Sequence, residues 1–167
     1  MMKKVLLACS VLVLASCATY KPIPDNYKGP IATVADSGEP ESASKGRVFA
    51  LTKIDGNPVM DSFEATRQRS YGRGALVTLE ITERQMPARP MQVTLRGAHV
   101  TGAPIHELAS RAMGTFFEVE GVVEFKPEAD KRYKVVGKLS KDLSEVWIAD
   151  ESTNQPVTAK VSTVREK

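Results

Sequence analysis

Three arginines and a tyrosine crowd the stretch Thr66-Arg67-Gln68-Arg69-Ser70-Tyr71-Gly72-Arg73-Gly74. Guanidinium groups offer forked donors that match phosphate and carboxylate oxygens, and a tyrosine ring can stack on a sugar. Gly72 and Gly74 mark the stretch as a loop. Arg67, Arg69, Tyr71 and Arg73 are therefore candidate ligand-binding residues, with a plain solvated basic loop as the competing reading. Trp147, inside Glu145-Val146-Trp147-Ile148-Ala149-Asp150, is the other candidate, a sugar platform if it stands exposed. Strand neighbours face opposite ways, so one side of this segment is aliphatic and the other aromatic, and we expect both to be buried.

The remaining groupings specify no reaction. His106-Glu107 opens like the zinc motif H-E-x-x-H, but position 110 is Ser110, and His99, the other histidine, lies seven residues away across Gly102 and Pro104. No metal and no cofactor is implied. Ser42-Ala43-Ser44-Lys45 fits the S-x-x-K string of penicillin-interacting enzymes without its S-D-N or K-T-G partners, and no G-x-S-x-G elbow occurs. Glu118, Glu120 and Glu124 invite comparison with the paired carboxylates of glycoside hydrolysis. Alternation explains them more simply as the wet face of a strand, opposite lysines such as Lys134 and Lys138. No catalytic residue is expected.

The tetrad Leu14-Ala15-Ser16-Cys17 fits a different chemistry, acylation of a thiol. Lys3 and Lys4 precede an apolar stretch, Val5 to Leu14, of about ten residues, the length of a signal h-region and about half of what a spanning helix needs. Small residues and then cysteine follow, the order of a bacterial lipobox. Residues 1–16 are thus expected to be a lipoprotein signal peptide and Cys17 the lipidated mature N-terminus. The rival Leu6-Leu7-Ala8-Cys9 leaves too short an apolar run before it. Each buried methylene contributes about 0.8 kcal/mol, so several acyl chains anchor stably where one is marginal. Ala18 after the cysteine points to the outer membrane, periplasmic face.

Without Lys3 and Lys4, the 23 Lys and Arg residues fall to 21, against 20 acidic ones. A nearly neutral body is a poor fit to nucleic acid, which calls for a basic face. Cys9 falls in the signal and Cys17 is taken up by the lipid, so the folded body is expected to have neither disulfide nor cysteine-ligated metal.

The elements that must position the candidates follow from patterning. Residues 17–45 are rich in Pro, Ser, Gly and acidic side chains and read as a tether, about 28 residues with a reach of roughly 30 Å if flexible. Within it Ile31-Ala32-Thr33-Val34 is β-prone, and residues 27–37 are an alternative edge strand. From 46 to 167 period-two alternation predicts strands at Val48 to Ile54, Ala75 to Thr82, Met91 to Gly97, Thr115 to Phe125, Tyr133 to Leu139, around Trp147, and Val157 to Val164. Pro104 to Met113 alone has helical spacing. The expected fold is mainly β, an antiparallel β-sandwich of immunoglobulin-like or transthyretin-like kind with at most one short helix.

Tyr27-Lys28-Gly29-Pro30, Asp36-Ser37, the strand and turn from Phe49 to Gly56, Val146 to Asp150 and the lipobox together resemble small, uncharacterised proteobacterial lipoproteins, over most of the chain. The resemblance brings no activity and no catalytic residues. It implies that Tyr27 to Ser37 belong to the folded domain. The expectation is an outer-membrane-anchored periplasmic lipoprotein, a non-enzymatic binding or envelope-assembly accessory. Its expected partners are the membrane, through the N-terminal lipid, and envelope proteins or anionic glycans. The alternatives are an anchored enzyme or inhibitor acting on cell-wall material, or a carbohydrate-binding module built on Trp147 or Tyr71.

Overall fold

The computed structural model describes residues 20–164. Its elements are β1 (Ile31–Ala35), β2 (Ser37–Ser42), β3 (Lys45–Ile54), β4 (Asn57–Pro58), α1 (Ser62–Ser70), β5 (Glu83–Pro87), β6 (Met91–Thr101), α2 (Pro104–Ala112), β7 (Glu118–Phe125), β8 (Arg132–Lys138), β9 (Leu143–Asp150) and β10 (Val161–Val164). They form two packed sheets, the first in the order β10-β9-β8-β1-β5 and the second β2-β3-β6-β7, with β4 paired to β3. The expected mainly β sandwich is what the chain forms. Its pairs are antiparallel except β1 with β8, where Val34 sits beside Tyr133 in parallel register.

Alternation builds the core. On β7, Val119, Val123 and Phe125 turn inward and the glutamates outward, and on β8 Tyr133 and Val135 do the same. Phe125 meets Tyr133 edge-on at 5.1 Å, joining the two sheets. Phe49 fills the space over Gly97 and Gly137, where an added methyl carbon would lie 2.7 and 2.5 Å from its ring. The outward row of β7 pairs with arginines rather than lysines. Glu118 meets Arg111 and Arg96, and Glu120 meets Arg96, whereas Lys134 and Lys138 sit on β8 in the other sheet.

Residues 31–42, read from sequence as tether, are two strands. β1 is an interior strand, not an edge, and one residue later the chain crosses to the second sheet as β2. The crossing residue is Asp36, buried at 1 % exposure. Its Oδ1 accepts from Leu51 N–H (3.1 Å) and Arg84 Nη1 (2.9 Å). Its Oδ2 accepts from Ser62 N–H and Oγ, Thr82 Oγ1 and Arg84 Nη2, between 2.7 and 3.1 Å. A carboxylate taken out of water needs its lone pairs filled, and here both sheets and a helix fill them. Composition alone marked this stretch polar and flexible because the burial depends on Arg84, distant in sequence.

Two further expectations change. Ala75 to Thr82 is extended but is not a ladder strand, although Val77, Leu79 and Ile81 do alternate toward one side, with Leu79 against Gly46 and Ile81 against Gly38. The partners of this strip are hydroxyls on α1: Thr82 N–H donates to Ser62 Oγ, Glu80 N–H to Thr66 Oγ1 and Thr78 N–H to Ser70 Oγ, all at 2.9 to 3.0 Å. Four helical residues rise about 6.0 Å and two extended residues about 6.6 Å, so hydroxyls four apart match amides two apart. The second change is α1 itself, a second helix. Apolar side chains do not recur at helical spacing in it. Instead Asp61 caps it, its Oδ1 accepting from Phe63 and Glu64 N–H at 2.8 and 3.0 Å. Burial pushes the Asp61 carboxyl above the usual range, opposed by those N–H groups. Of the expected last strand only Val161–Val164 forms, with a single bridge from Pro156 to Ala149.

Replacing Asp36 by Ala strands the Arg84 guanidinium, whose side chain is 8 % exposed. The expected cost is about 3–5 kcal/mol in urea unfolding; a loss below about 1 kcal/mol would show that the crossing does not depend on this pair.

Candidate functional site

Helices α1 and α2 ride on the outer face of the second sheet, and between them lies a groove of about 590 Å³. Phe63, Phe116 and Val100 give it apolar walls, and Arg67, Arg96 and Tyr71 line it with polar groups. The Arg96 guanidinium lies 4.8 Å from the centre of the Phe63 ring and that of Arg111 lies 3.9 Å from Phe116, so cations rest on both aromatic walls.

The arginine stretch is split by the helix it sits on. Arg67 and Arg69, two residues apart on α1, point about 200° from one another. Arg67 lines the groove and is clamped by Glu64 at 2.6 and 2.8 Å, while Arg69 turns away to Glu80 at 4.0 Å. Tyr71, just past the helix, is 87 % exposed at the groove mouth. Arg73 lies outside it, bonded to Thr78 Oγ1. The expected single loop is thus two residues in a groove, Arg67 and Tyr71, and two outside it.

Trp147 is elsewhere, on the outer face of the first sheet between the buried Val146 and Ile148. It is half-buried rather than enclosed, with the Lys160 ammonium 4.2 Å above its ring. Its indole Nε1 is buried without a hydrogen-bond partner among the described residues. An ammonium covers the ring where a sugar would stack. Cys17 lies outside the described residues.

Among the groove residues, Phe63, Arg96 and Phe116 escaped the sequence reading, and His99 entered it only as a rejected metal ligand. A signal for α1 did exist, the capping pattern of Asp61 followed three residues later by Glu64. Arg96 gave none, because strand alternation does not show that a helix covers the outer face.

His99 has both ring nitrogens engaged. Phe117 N–H donates to Nδ1 at 3.0 Å, so that nitrogen carries no proton, and Nε2–H donates to Glu41 Oε1 at 3.1 Å. Burial pushes the imidazole below its ordinary range, with Glu41 pulling the other way. A neutral ring with no spare lone pair is a structural post, not a base. Glu107 is likewise held by Arg111 at 2.9 Å. Among the described residues no three His, Cys, Asp or Glu side chains converge as a metal ion requires, and no helix is long and apolar enough to cross a membrane.

Comparison of the chain with protein families, curated proteins and solved structures gives no match.

The pH dependence follows from His99. Unfolded histidine protonates near pH 6.5 and the folded ring only at lower pH, so the unfolded state takes up the proton first and stability falls as pH drops through that value. The thermal midpoint is expected to be lower at pH 5.5 than at pH 7.5, with a shallower difference in His99→Gln. Equal slopes for the two proteins would remove His99 as the source.

Proposed function

We propose that the chain is an outer-membrane-anchored lipoprotein facing the periplasm, acting as a non-enzymatic binding accessory through the groove between α1 and α2. The groove carries the reading: aromatic walls with an exposed tyrosine and a forked arginine at the mouth suit a glycan with an acidic substituent. The ionisable groups around it argue for binding rather than turnover. Arg67, Arg96 and Glu107 are in ion pairs and His99 is locked by two hydrogen bonds, so no acid–base group there is poised for proton transfer.

The anchor is the lipid on Cys17 after cleavage of residues 1–16. Tyr20 already packs against the core, only three residues beyond Cys17, so the body would sit within about 10 Å of the headgroups instead of on a long tether. The groove lies toward the end of β6 remote from Tyr20 and would open away from that membrane.

Two measurements test this. Metabolic palmitate should label the wild type and not Cys17→Ser, and globomycin should block processing; an unlabelled wild type ends the anchor. Titration with soluble muropeptides and with lipopolysaccharide core phosphates should show binding that drops at least tenfold, about 1.4 kcal/mol, in Arg67→Ser/Tyr71→Ala and is unchanged in Arg69→Ser. Failure of the wild type to bind either probe ends the glycan reading.

A further inference from the structure

A second cavity, of about 510 Å³, opens along the free edge of β5. Tyr20, Pro22, Ile23, Val59 and Met60 make its wall largely apolar, while Lys21 and Glu83, 76 and 58 % exposed, stand at the rim. Arg84 lines it as well, with a side chain only 8 % exposed. The Nη1 and Nη2 groups of Arg84 donate to Asp36 and Thr82, but its Nε–H is buried with no acceptor among the described residues. A buried donor without an acceptor is unfavourable. An apolar cavity beside one suits a ligand that is apolar along its length and carries a single acceptor. A fatty acyl ester has that make-up, with methylenes for the wall and a carbonyl oxygen for Nε–H.

The course of the chain says where such a ligand comes from. Tyr20, in the wall of the cavity, is also packed against the core, and Cys17 precedes it by three residues, about 10 Å at full stretch. A group carried on so short a tether is presented to the cavity at millimolar effective concentration, far above any free lipid. The groove between α1 and α2 is out of its reach. That groove touches the Thr101 end of β6, whereas Tyr20 lies beside Arg89 at the Met91 end, roughly 30 Å away along the strand.

We propose that this cavity receives one of the acyl chains on Cys17, its ester carbonyl accepting from Arg84 Nε–H, while the remaining chains stay in the bilayer. This occupant presupposes the lipid anchor proposed above. Docked in this way, the acyl group fixes how the body is oriented on the membrane, because the short tether is held at both ends.

The processed chain, residues 17–167 with Cys17→Ser, provides the first test; the fold begins after Tyr20, so leaving out residues 1–16 removes no described element. It carries no lipid of its own, so its titration stands whether or not the anchor exists in cells. Monopalmitoylglycerol is expected to displace a fluorescent fatty acid from it, and hexadecylglycerol, the ether of equal length without a carbonyl, to need roughly fivefold more. Met60→Glu, at a side chain 43 % exposed, is expected to weaken both by about tenfold, and Leu108→Glu on α2 neither. In a common mild detergent, the acylated wild type is expected to take up no fluorescent fatty acid and the Cys17→Ser chain to take it up. No displacement by monopalmitoylglycerol, or equal potency of ester and ether, overturns the cavity as an acyl-ester site. Equal uptake by acylated and unacylated protein overturns the chain's own lipid as occupant and leaves a free lipid in its place. A wild type that carries no palmitate ends the anchor, and this occupant with it, without altering the titration.

Discussion

A single buried carboxylate sets the terms for the rest of this molecule. The chain passes from one sheet to the other in one residue, Asp36, with no loop in which the charge could reach water. Its two oxygens accept from a β3 amide, from the first residue of α1, from Thr82 and twice from Arg84. Those donors come from three separate stretches of chain, so they fix where the sheets face each other and where α1 begins. Replacing both charges by apolar groups could serve stability equally well. What the ion pair adds is direction, since a carboxylate fork and a guanidinium fork meet in few orientations.

The covering layer follows from that point. Because α1 starts against Asp36, its Ser62, Thr66 and Ser70 face the strip that ends at Thr82, and the strip in turn shields the outer side of β3. β3 is buried on both faces, as its unbroken run Val48-Phe49-Ala50-Leu51 records. The groove exists because α1 ends, and α2 begins, over the uncovered remainder of β6. Its chemistry is correspondingly restrained. Carboxylates already hold its arginines, so a ligand gains by stacking and shape and must compete for each guanidinium.

What the sequence disclosed was periodicity. Strands β3, β6, β7, β8 and β9, and helix α2, all announce themselves by spacing, and the turn at Asp55-Gly56 by its residues. What it concealed depended on partners far away in the chain. Residues 31–42, inside a longer segment rich in Pro, Ser, Gly and acidic residues, become strands because Arg84 and β8 receive them. The strip 75–82 alternates like a strand yet pairs with side chains. An arginine cluster on a flexible loop becomes two separate pairs once α1 turns Arg67 and Arg69 apart. Residue types in the groove were half legible: Arg67 and Tyr71 stood out by composition, whereas Phe63, Arg96 and Phe116 look like ordinary residues until a helix is laid across them.

The hydroxyl rungs between α1 and the strip carry one more consequence. Backbone ladders can fray a bond at a time from an end, but here three amides of one segment rest on three side chains of another, and these rungs are lost together when the two segments part. Helix and strip therefore peel from the sandwich as one cooperative unit, a foldon laid over a frame that closes beneath it. Such an opening would bare Val48 and Ala50 on the sheet's outer side and take Ser62 and Thr82 from the Asp36 carboxylate, leaving Arg84 and the Leu51 amide to hold it, which gives this small domain two tiers of stability.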